Sequence, residues 1–412
     1  MPGATIPRDV RIGRRGPGQC RNALRRELIG VALAAWTAWA AIVSPVPVAG
    51  QEPGPPRPEE ARLRDVVETL ASPEFGGRSG AGGDKAAAYL VERFRALGLE
   101  GLFGGEHTQT IPGKEPGTRI GRNVGAMLRG SDPHLRDQWI ILAAHFDHLG
   151  VRGGKLYPGA DDNASGVAMM LEVARCVTRA PARPKRSIMF IGFDLEETGL
   201  FGSRYFVAHS PVPLERVSLF VTADMIGRSL AGVCGDHVFV MGTEHAPGLR
   251  PWIQQAGKGR PLSVDLLGSD ILVLNRSDYG PFRSRSIPFL FFTTGENPCY
   301  HTPRDTPDTL DNPKMTAIAR MIHQVVGTAL DAPAVPRWQA EPDNPMAEAV
   351  AIRDVLHILS KNSDALKIGV APLFVIRNTL SLLDEIVARG TITPDERARV
   401  IQGARIVLFT VL

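Results

Sequence analysis

Cysteine is scarce in this chain of 412 residues: Cys20, Cys176, Cys234 and Cys299 are the whole complement. Four thiols so widely spaced exclude a disulfide framework and a CxxC metal knuckle. Cys20 falls in an N-terminal segment expected to be removed, and the other three allow at most one bridge and one free thiol, so packing is the role expected of them. No short period runs through the 43 glycines and 33 prolines. That excludes collagen-like and solenoid architectures and leaves tight turns and well-developed loops. Apolar runs long enough to span a membrane as a helix are also missing. With 43% hydrophobic and 22% charged residues and a mean hydropathy near zero, the chain is neither a disordered polar polymer nor a multi-span membrane protein. Its length suits two or three domains, or one large α/β domain with additions.

A large charge of one sign is lacking too, once the charge is located. The formal net charge is +4. Residues 1–50 hold seven arginines against Asp9 and Glu27, a net +5, so the remaining 362 residues sum to about −1. The mature chain therefore needs no nucleic acid or other polyanion as a partner. Directly after the arginines, Leu28 to Val43 runs sixteen residues without a charge, followed by Pro45, Pro47 and the small-residue run Val48-Ala49-Gly50. A basic stretch, an apolar stretch and a small-residue cleavage site form the pattern of an export signal, and sixteen residues fall short of the roughly 20 a spanning helix needs. Residues 1–50 are expected to be a signal peptide cleaved near Gly50, sending the protein to the periplasm or the extracellular space. The alternative is an uncleaved N-terminal segment acting as a membrane anchor.

After a Pro-rich linker, helical spacing of apolar residues marks Glu59 to Leu70 and Gly83 to Leu97, two helices expected on one side of a sheet. Alternating or continuous apolar runs mark strands at Asn123 to Leu128, Trp139 to Ala144, Ser187 to Phe193, Leu219 to Ala223, His237 to Met241 and Pro288 to Thr293. Helical patterns lie between and after them, at Ala164 to Thr178, Ser203 to Ala208, Gly248 to Gln255 and Asn312 to Leu330. Strands alternating with helices predict a mixed, mainly parallel α/β sheet flanked by helices, with binding residues collected at the carboxyl ends of the strands. Asp331 to Pro345 reads as a linker. Residues 345–412 then carry three helical patterns, Met346 to Lys361, Ala365 to Arg389 and Pro394 to about the end, a small C-terminal extension. Thr393 is expected to cap the last of these, with Pro394 at its first position.

Five segments hold nearly all the notable acids and histidines: AHFDHLG (144–150), GADDNASG (159–166), FDLEETGLFGS (193–203), ADMIG (223–227) and CYHTPRDTPDTL (299–310). Singly, each reads as surface charge or a helix cap. Together, at successive strand ends, they deliver imidazole and carboxylate donors to one crevice. Borderline cations such as zinc bind this mixture. A two-metal site needs a carboxylate bridging ions about 3.5–4 Å apart, and an Asp in the Gly-flanked GADDNASG turn suits that task. His145 and Asp147, two apart on an extended chain, point the same way, so Asp147 can hold the His145 ring in its ligating tautomer. The adjacent Glu196 and Glu197 point to different places, which suits one base and one ligand.

The ordered set AHxD, GADDNxSG, DxEExGLxGS, ADMIG and YHTxxDTxDTL resembles the family M28 zinc peptidases, the two-zinc aminopeptidase group. The resemblance runs from about Leu63 to Leu330 and includes ASPEFGGRSG, SDYGPF and IPFLFFTTG, which makes 51–332 the expected peptidase domain. By motif position it implies two Zn²⁺ per chain. His145, Asp162 and Asp224 would hold one ion and Asp162, Glu197 and His301 the other, with Asp162 bridging. It implies Glu196 as the general base acting on the attacking water, and Tyr300 as a hydrogen-bond donor to the developing oxyanion. It further implies a cis peptide at Asp162-Asn163, peptides as substrates, and an aminopeptidase activity. In SDYGPF, Tyr279 and Gly280 stand where many relatives carry a His beside the Asp, a departure that bears on pocket recognition. The stretch from Phe103 to Arg122 is too short for the protease-associated insert of some relatives. Carboxypeptidase and one-zinc glutaminyl cyclase are alternatives on the same scaffold, although Asn163 is retained where cyclases typically replace it. A receptor-like protein that has lost the site is disfavoured because all five ligand positions and the base are present.

Overall fold

The computed structural model describes residues 55–269, 275–343 and 345–411; the expected signal segment and Cys20 lie outside them. In chain order the strands are β1 (Glu100–Gly101), β2 (Thr108–Pro112), β3 (Arg119–Leu128), β4 (Trp139–His145), β5 (Val151–Arg152), β6 (Lys155–Leu156), β7 (Ser187–Phe193), β8 (Val217–Ala223), β9 (His237–Met241), β10 (Ser263–Leu267) and β11 (Phe289–Thr293). The helices are α1 (Glu60–Leu70), α2 (Ala81–Ala96), α3 (Gly166–Thr178), α4 (Phe201–Ala208), α5 (Arg250–Gly257), α6 (Tyr279–Arg283), α7 (Asn312–Asp331), α8 (Pro345–Lys361), α9 (Val370–Arg389) and α10 (Pro394–Val411).

Nine strands form one sheet in the order β1-β3-β7-β4-β8-β11-β9-β10, with β2 also paired to β3, while β5 and β6 make a separate hairpin. The centre is the parallel set β7, β4, β8 and β11; β3 joins it antiparallel on one side and β9 on the other. This is the expected mixed, mainly parallel sheet. Its central strands β4, β7, β8 and β11 are mostly apolar because both faces are covered. Alternation along each strand sorts the side chains: Ile140, Leu142, Ile188 and Phe190 pack with α1, α2, α3, α5 and α7, whereas Trp139, Ile141, Met189 and Ile191 pack with α4, α6 and α8 to α10. The two N-terminal helices therefore share one side of the sheet. The four central strands run the same way, so all their carboxyl ends meet at one edge.

Several elements differ from the sequence pattern. Strands β2 and β10 were not expected; both lie at sheet margins, where a strand keeps polar residues and loses its apolar alternation. Helix α9 begins at Val370 rather than Ala365, because Lys367 takes a left-handed conformation (φ 53°) and Gly369 is the cap. Residues 332–343 are a strap rather than a loose linker. Gln339 donates its amide to the His245 carbonyl (2.7 Å), Asp343 donates to Glu244 (2.8 Å), and Trp338 stacks on the His245 ring at 4.0 Å between centres. Thr393 and Glu396 cap α10 reciprocally: the Glu396 amide donates to Thr393 Oγ1 (3.3 Å) and the Thr393 amide to Glu396 Oε2 (2.9 Å). Cys176 and Cys234 are buried, Cys299 is half-buried, and none of the three is bridged. Burial pushes the first two thiols up to about 12 and about 11, which keeps them protonated packing groups. Among the described residues no helix is long and apolar enough to cross a membrane.

Candidate metal centre

The carboxyl edge of the sheet gathers the five motif segments. His145 is the last residue of β4, Asp224 follows the end of β8, and Glu196-Glu197 follow β7 after a two-residue bend. Tyr300-His301 lie on the loop after β11, and Asp162 lies in the wide turn 160–165 that leads into α3. His145 Nε2 is 3.3 Å from Asp224 Oδ1 and 3.5 Å from Asp162 Oδ1. His301 Nε2 is 3.1 Å from Asp162 Oδ2 and 3.0 Å from Glu197 Oε2. Asp162 thus turns one carboxylate oxygen toward each imidazole. Two groups of donor atoms result, His145 with Glu196 and Asp224, and His148 with Asp162 and Glu197, each with its atoms within 4.8 Å of one another.

Four residues of GADDNASG fix this turn. The Asp161 carboxylate accepts the Gly227 amide (2.7 Å), securing the ADMIG loop. Asn163 donates its side-chain amide to the Ala223 carbonyl (2.9 Å) and accepts the Gly166 amide (3.0 Å), joining the end of β8 to the start of α3. Gly166 is obligatory because a Cβ there would sit 2.5 Å from the Ala223 carbonyl oxygen. Gly159, at φ +61°, would bring a Cβ within 2.2 Å of the Asp162 carbonyl. The Asp162-Asn163 peptide is cis. Asp305 accepts the amides of Asp161 (2.9 Å) and Asp162 (3.1 Å) and is itself held by Arg228 at 3.0 Å.

The remaining residues divide between direct and supporting positions. Asp147 accepts the amides of Glu196 (3.0 Å) and Glu197 (3.2 Å), while its Oδ1 stands 3.5 Å from His145 Nδ1. One carboxylate therefore sets the loop that carries both glutamates as well as facing the ring. Tyr300 stacks on His301 at 3.8 Å between centres. Tyr279 does not enter the site: it is buried and stacked on Phe289 and Phe291, so the departure in SDYGPF is filled by core packing. Four residues carried no expectation. His148 Nδ1 is 2.8 Å from Glu197 Oε1, and its only signal was a place three residues after His145. Asp278 is fully buried near His145, Asp224 and Glu196, and burial pushes its carboxyl up to about 7. Arg78 and Asp305 act on backbone groups, which leave no mark in sequence.

The electrostatics call for cations. His145, Asp162 and Asp224 are buried, and Glu196 and Glu197 are nearly so. Burial raises the Asp162 carboxyl, with the Glu197 charge adding to it. Burial likewise raises Glu196 well above the carboxylate range, against the pull of His145 and with the push of Asp224. Burial opposes charge on His301, yet its hydrogen bonds to Asp162 and Glu197 raise it to about 10. Of the buried arginines, the two at this site are engaged elsewhere, Arg78 on carbonyls and Arg228 on Asp305. Crowded carboxylates with imidazoles and no thiolate are the donor set of a hydrolytic divalent metal site, and the residues fit such ions.

Comparison with known proteins finds relatives among peptidases. Aminopeptidase YwaD of Bacillus subtilis (strain 168) is 28% identical over 201 residues, 46% of this chain and 41% of that protein. Leupeptin-inactivating enzyme 1 of Streptomyces exfoliatus is 30% identical over 264 residues, 60% and 52% of the two chains. The chain thus spans about half the length of the curated relatives it matches. The crystal structure of BSAP, a zinc aminopeptidase from Bacillus subtilis, shares the fold at 16% identity, with a TM-score of 0.53 over 70% of this chain and 100% of that one. Residues 123–326 match the model of peptidase family M28. Since that segment supplies His145, Asp162, Glu196, Glu197, Asp224 and His301, the chain belongs to peptidase family M28.

Proposed function

We propose that this chain is an exported, zinc-dependent aminopeptidase that hydrolyses the first peptide bond of a substrate with a free N-terminus. The observation that carries the reading is Asp162, whose two carboxylate oxygens face His145 and His301 with Glu196 beside them. His145, Asp162 and Asp224 would hold one Zn²⁺, and Asp162, Glu197 and His301 the other. When bound, the ions supply Lewis acidity that polarises the scissile carbonyl and lowers the pKa of water. Glu196, given a high proton affinity by burial, accepts the proton of the attacking water and passes it to the leaving amine. Burial also keeps the Tyr300 hydroxyl protonated, so it donates a hydrogen bond to the oxygen on which negative charge develops. Asp147 holds both glutamates in place through their amides. The acidic lining favours a substrate ammonium group beside the reacting bond, which selects the free N-terminus. The name of the Bacillus subtilis relative, an aminopeptidase, supports the same class of reaction. Export is supported by the arginine-rich, apolar and small-residue pattern of residues 1–50.

The test is cleavage of matched peptides with free and acetylated N-termini, with and without chelator. Hydrolysis of the free set alone, abolished by chelation and restored by zinc, is expected. Cleavage of the acetylated set from its carboxyl end would overturn the aminopeptidase reading in favour of a carboxypeptidase.

A further inference from the structure

We propose that the C-terminal extension is part of the substrate site: α8 and α10 close the far side of an apolar pocket that takes one aliphatic or aromatic side chain, that of the substrate's N-terminal residue. The inference rests on the aminopeptidase reading above and deepens it. The family match ends at residue 326 and α8 begins at Pro345, so this wall is supplied by the chain's own addition.

The pocket opens at the metal centre. Two of its lining residues, Met225 and Tyr300, are the chain neighbours of Asp224 and His301. From there it runs between the sheet, which contributes Phe291, and the extension, which contributes Val355 and Leu356 from α8 and Val407 from α10. Its charged lining is one ion pair, Arg276 with Glu296 at 2.6 Å. Because those two charges already satisfy each other, a charged side chain entering the pocket would lose water without gaining a partner. The cavity volume is about 160 Å³. An apolar cavity near 150 Å³ accepts one benzene, so the space suits a leucyl, methionyl or phenylalanyl side chain.

A helical cap serving stability alone would close against the sheet, since an apolar void costs dispersion contacts. Here the helices are held at a fixed stand-off. The buried Glu348 of α8 accepts the Gly268 amide just beyond β10 (3.1 Å) and pairs with Arg397 of α10 at 2.8 Å. The gap is therefore set by bonded elements on both helices, and it lies beside the reacting atoms.

The experiment uses full-length, zinc-loaded protein with aminoacyl anilides of Ala, Leu, Phe and naphthylalanine. The wild type is expected to prefer Leu over Ala in kcat/KM by at least about tenfold. Val355→Phe, at a half-buried position, narrows the pocket and is expected to lower the Leu/Ala ratio by about tenfold. Leu356→Ala widens it and is expected to raise the naphthylalanine/Leu ratio; if its lost core packing prevents folding, V355F carries the test. Variants that change every substrate by the same factor would overturn the proposal. If the wild type cleaves none of the four, the aminopeptidase reading falls, and calorimetry with free L-leucine and L-alanine decides the pocket. Tighter leucine binding that V355F erases retains the pocket, and equal binding of the two amino acids sinks it.

Discussion

Arg78 and Asp305 grip the same loop from its two polar sides. The guanidinium of Arg78 donates to the carbonyls of Pro158 (2.6 Å), Gly159 (2.7 Å) and Asp162 (3.0 Å), and also to those of Leu70 and Phe146. The Asp305 carboxylate accepts the amides of Asp161 and Asp162. Asp162 is held through both its N–H and its C=O, which leaves its side chain as the free arm between the two histidines. A charged donor and a charged acceptor, each buried, are strong enough to define a loop that has no regular secondary structure of its own.

Arg78→Ala therefore takes a donor from five buried carbonyls, of which Gly159 alone keeps another, the Ala164 amide at 3.3 Å. Each such loss costs about 1–3 kcal/mol when no water replaces the donor. Partial solvation and relaxation reduce the sum, so a destabilisation of roughly 4 kcal/mol is expected, together with weaker zinc retention. Arg78→Lys keeps the charge but offers three donors where five acceptors wait, so it should fall between. Urea midpoints and zinc per chain measure both effects. An Ala variant as stable and as zinc-replete as the wild type would refute the clamp.

Glu196 sits close to His145 and Asp224, so it could be read as a ligand as easily as a base. Glu196→Gln separates the two, because the amide keeps shape but cannot take a proton. As a base its loss is expected to lower kcat about 10²- to 10⁴-fold with zinc content unchanged. Elemental analysis alongside turnover reads both. A Gln variant that has lost one zinc makes Glu196 a ligand.

His148 bears on the proposed second ion. Burial holds its imidazole down to about 4, so it is neutral and free to donate Nδ1–H to Glu197 Oε1 at 2.8 Å. Fixing a ligand in this way typically contributes 10- to 100-fold in metal affinity. His148→Ala should leave the fold intact and release one zinc at a chelator concentration about 10- to 100-fold below that needed for the wild type. A release curve that coincides with the wild type's would show that the contact does not position Glu197.

How much of this was legible in sequence follows from where each residue acts. His145 and Asp224 stand at strand ends, where a parallel sheet necessarily converges, so periodicity plus residue type was enough to group them. Glu196 and Glu197 were visible for the same reason. Arg78 was not, because its partners are backbone carbonyls, and any residue at 158, 159 or 162 provides one. His148 lay inside a recognised segment, but nothing in its spacing said that it would face Glu197. Tyr279 was marked as a departure, and only packing reveals that Phe289 and Phe291 absorb it. The extension's three helices were plain from their apolar spacing, whereas their docking depends on Glu348 meeting Arg397 and Gly268, contacts between residues 49 apart in one case and 80 in the other. Local pattern has no access to such pairs.

Lys314 provides a pH signature for the same region. It enters α7 behind the cap Asp311, and its ammonium is buried, donating to Arg228 O (2.8 Å), Ser229 Oγ (3.2 Å) and Cys234 O (3.4 Å). These bonds anchor the loop that carries Arg228 to Asp305 and so reach the bridging turn. Burial lowers its pKa to about 8, against an unfolded value near 10.4. Between these values the unfolded chain binds a proton that the folded chain does not, so stability contributed by this group rises with pH from about 8 to 10.4 and is level below 8. The rise is on the order of 3 kcal/mol. Other lysines, tyrosines and cysteines titrate in the same window, so the measurement is a difference: denaturant midpoints of wild type and Lys314→Met at half-unit steps from pH 7 to 10.5. The wild type is expected to gain on the variant steadily above pH 8. A constant gap across the window would mean that Lys314 is as easily charged in the folded protein as in water.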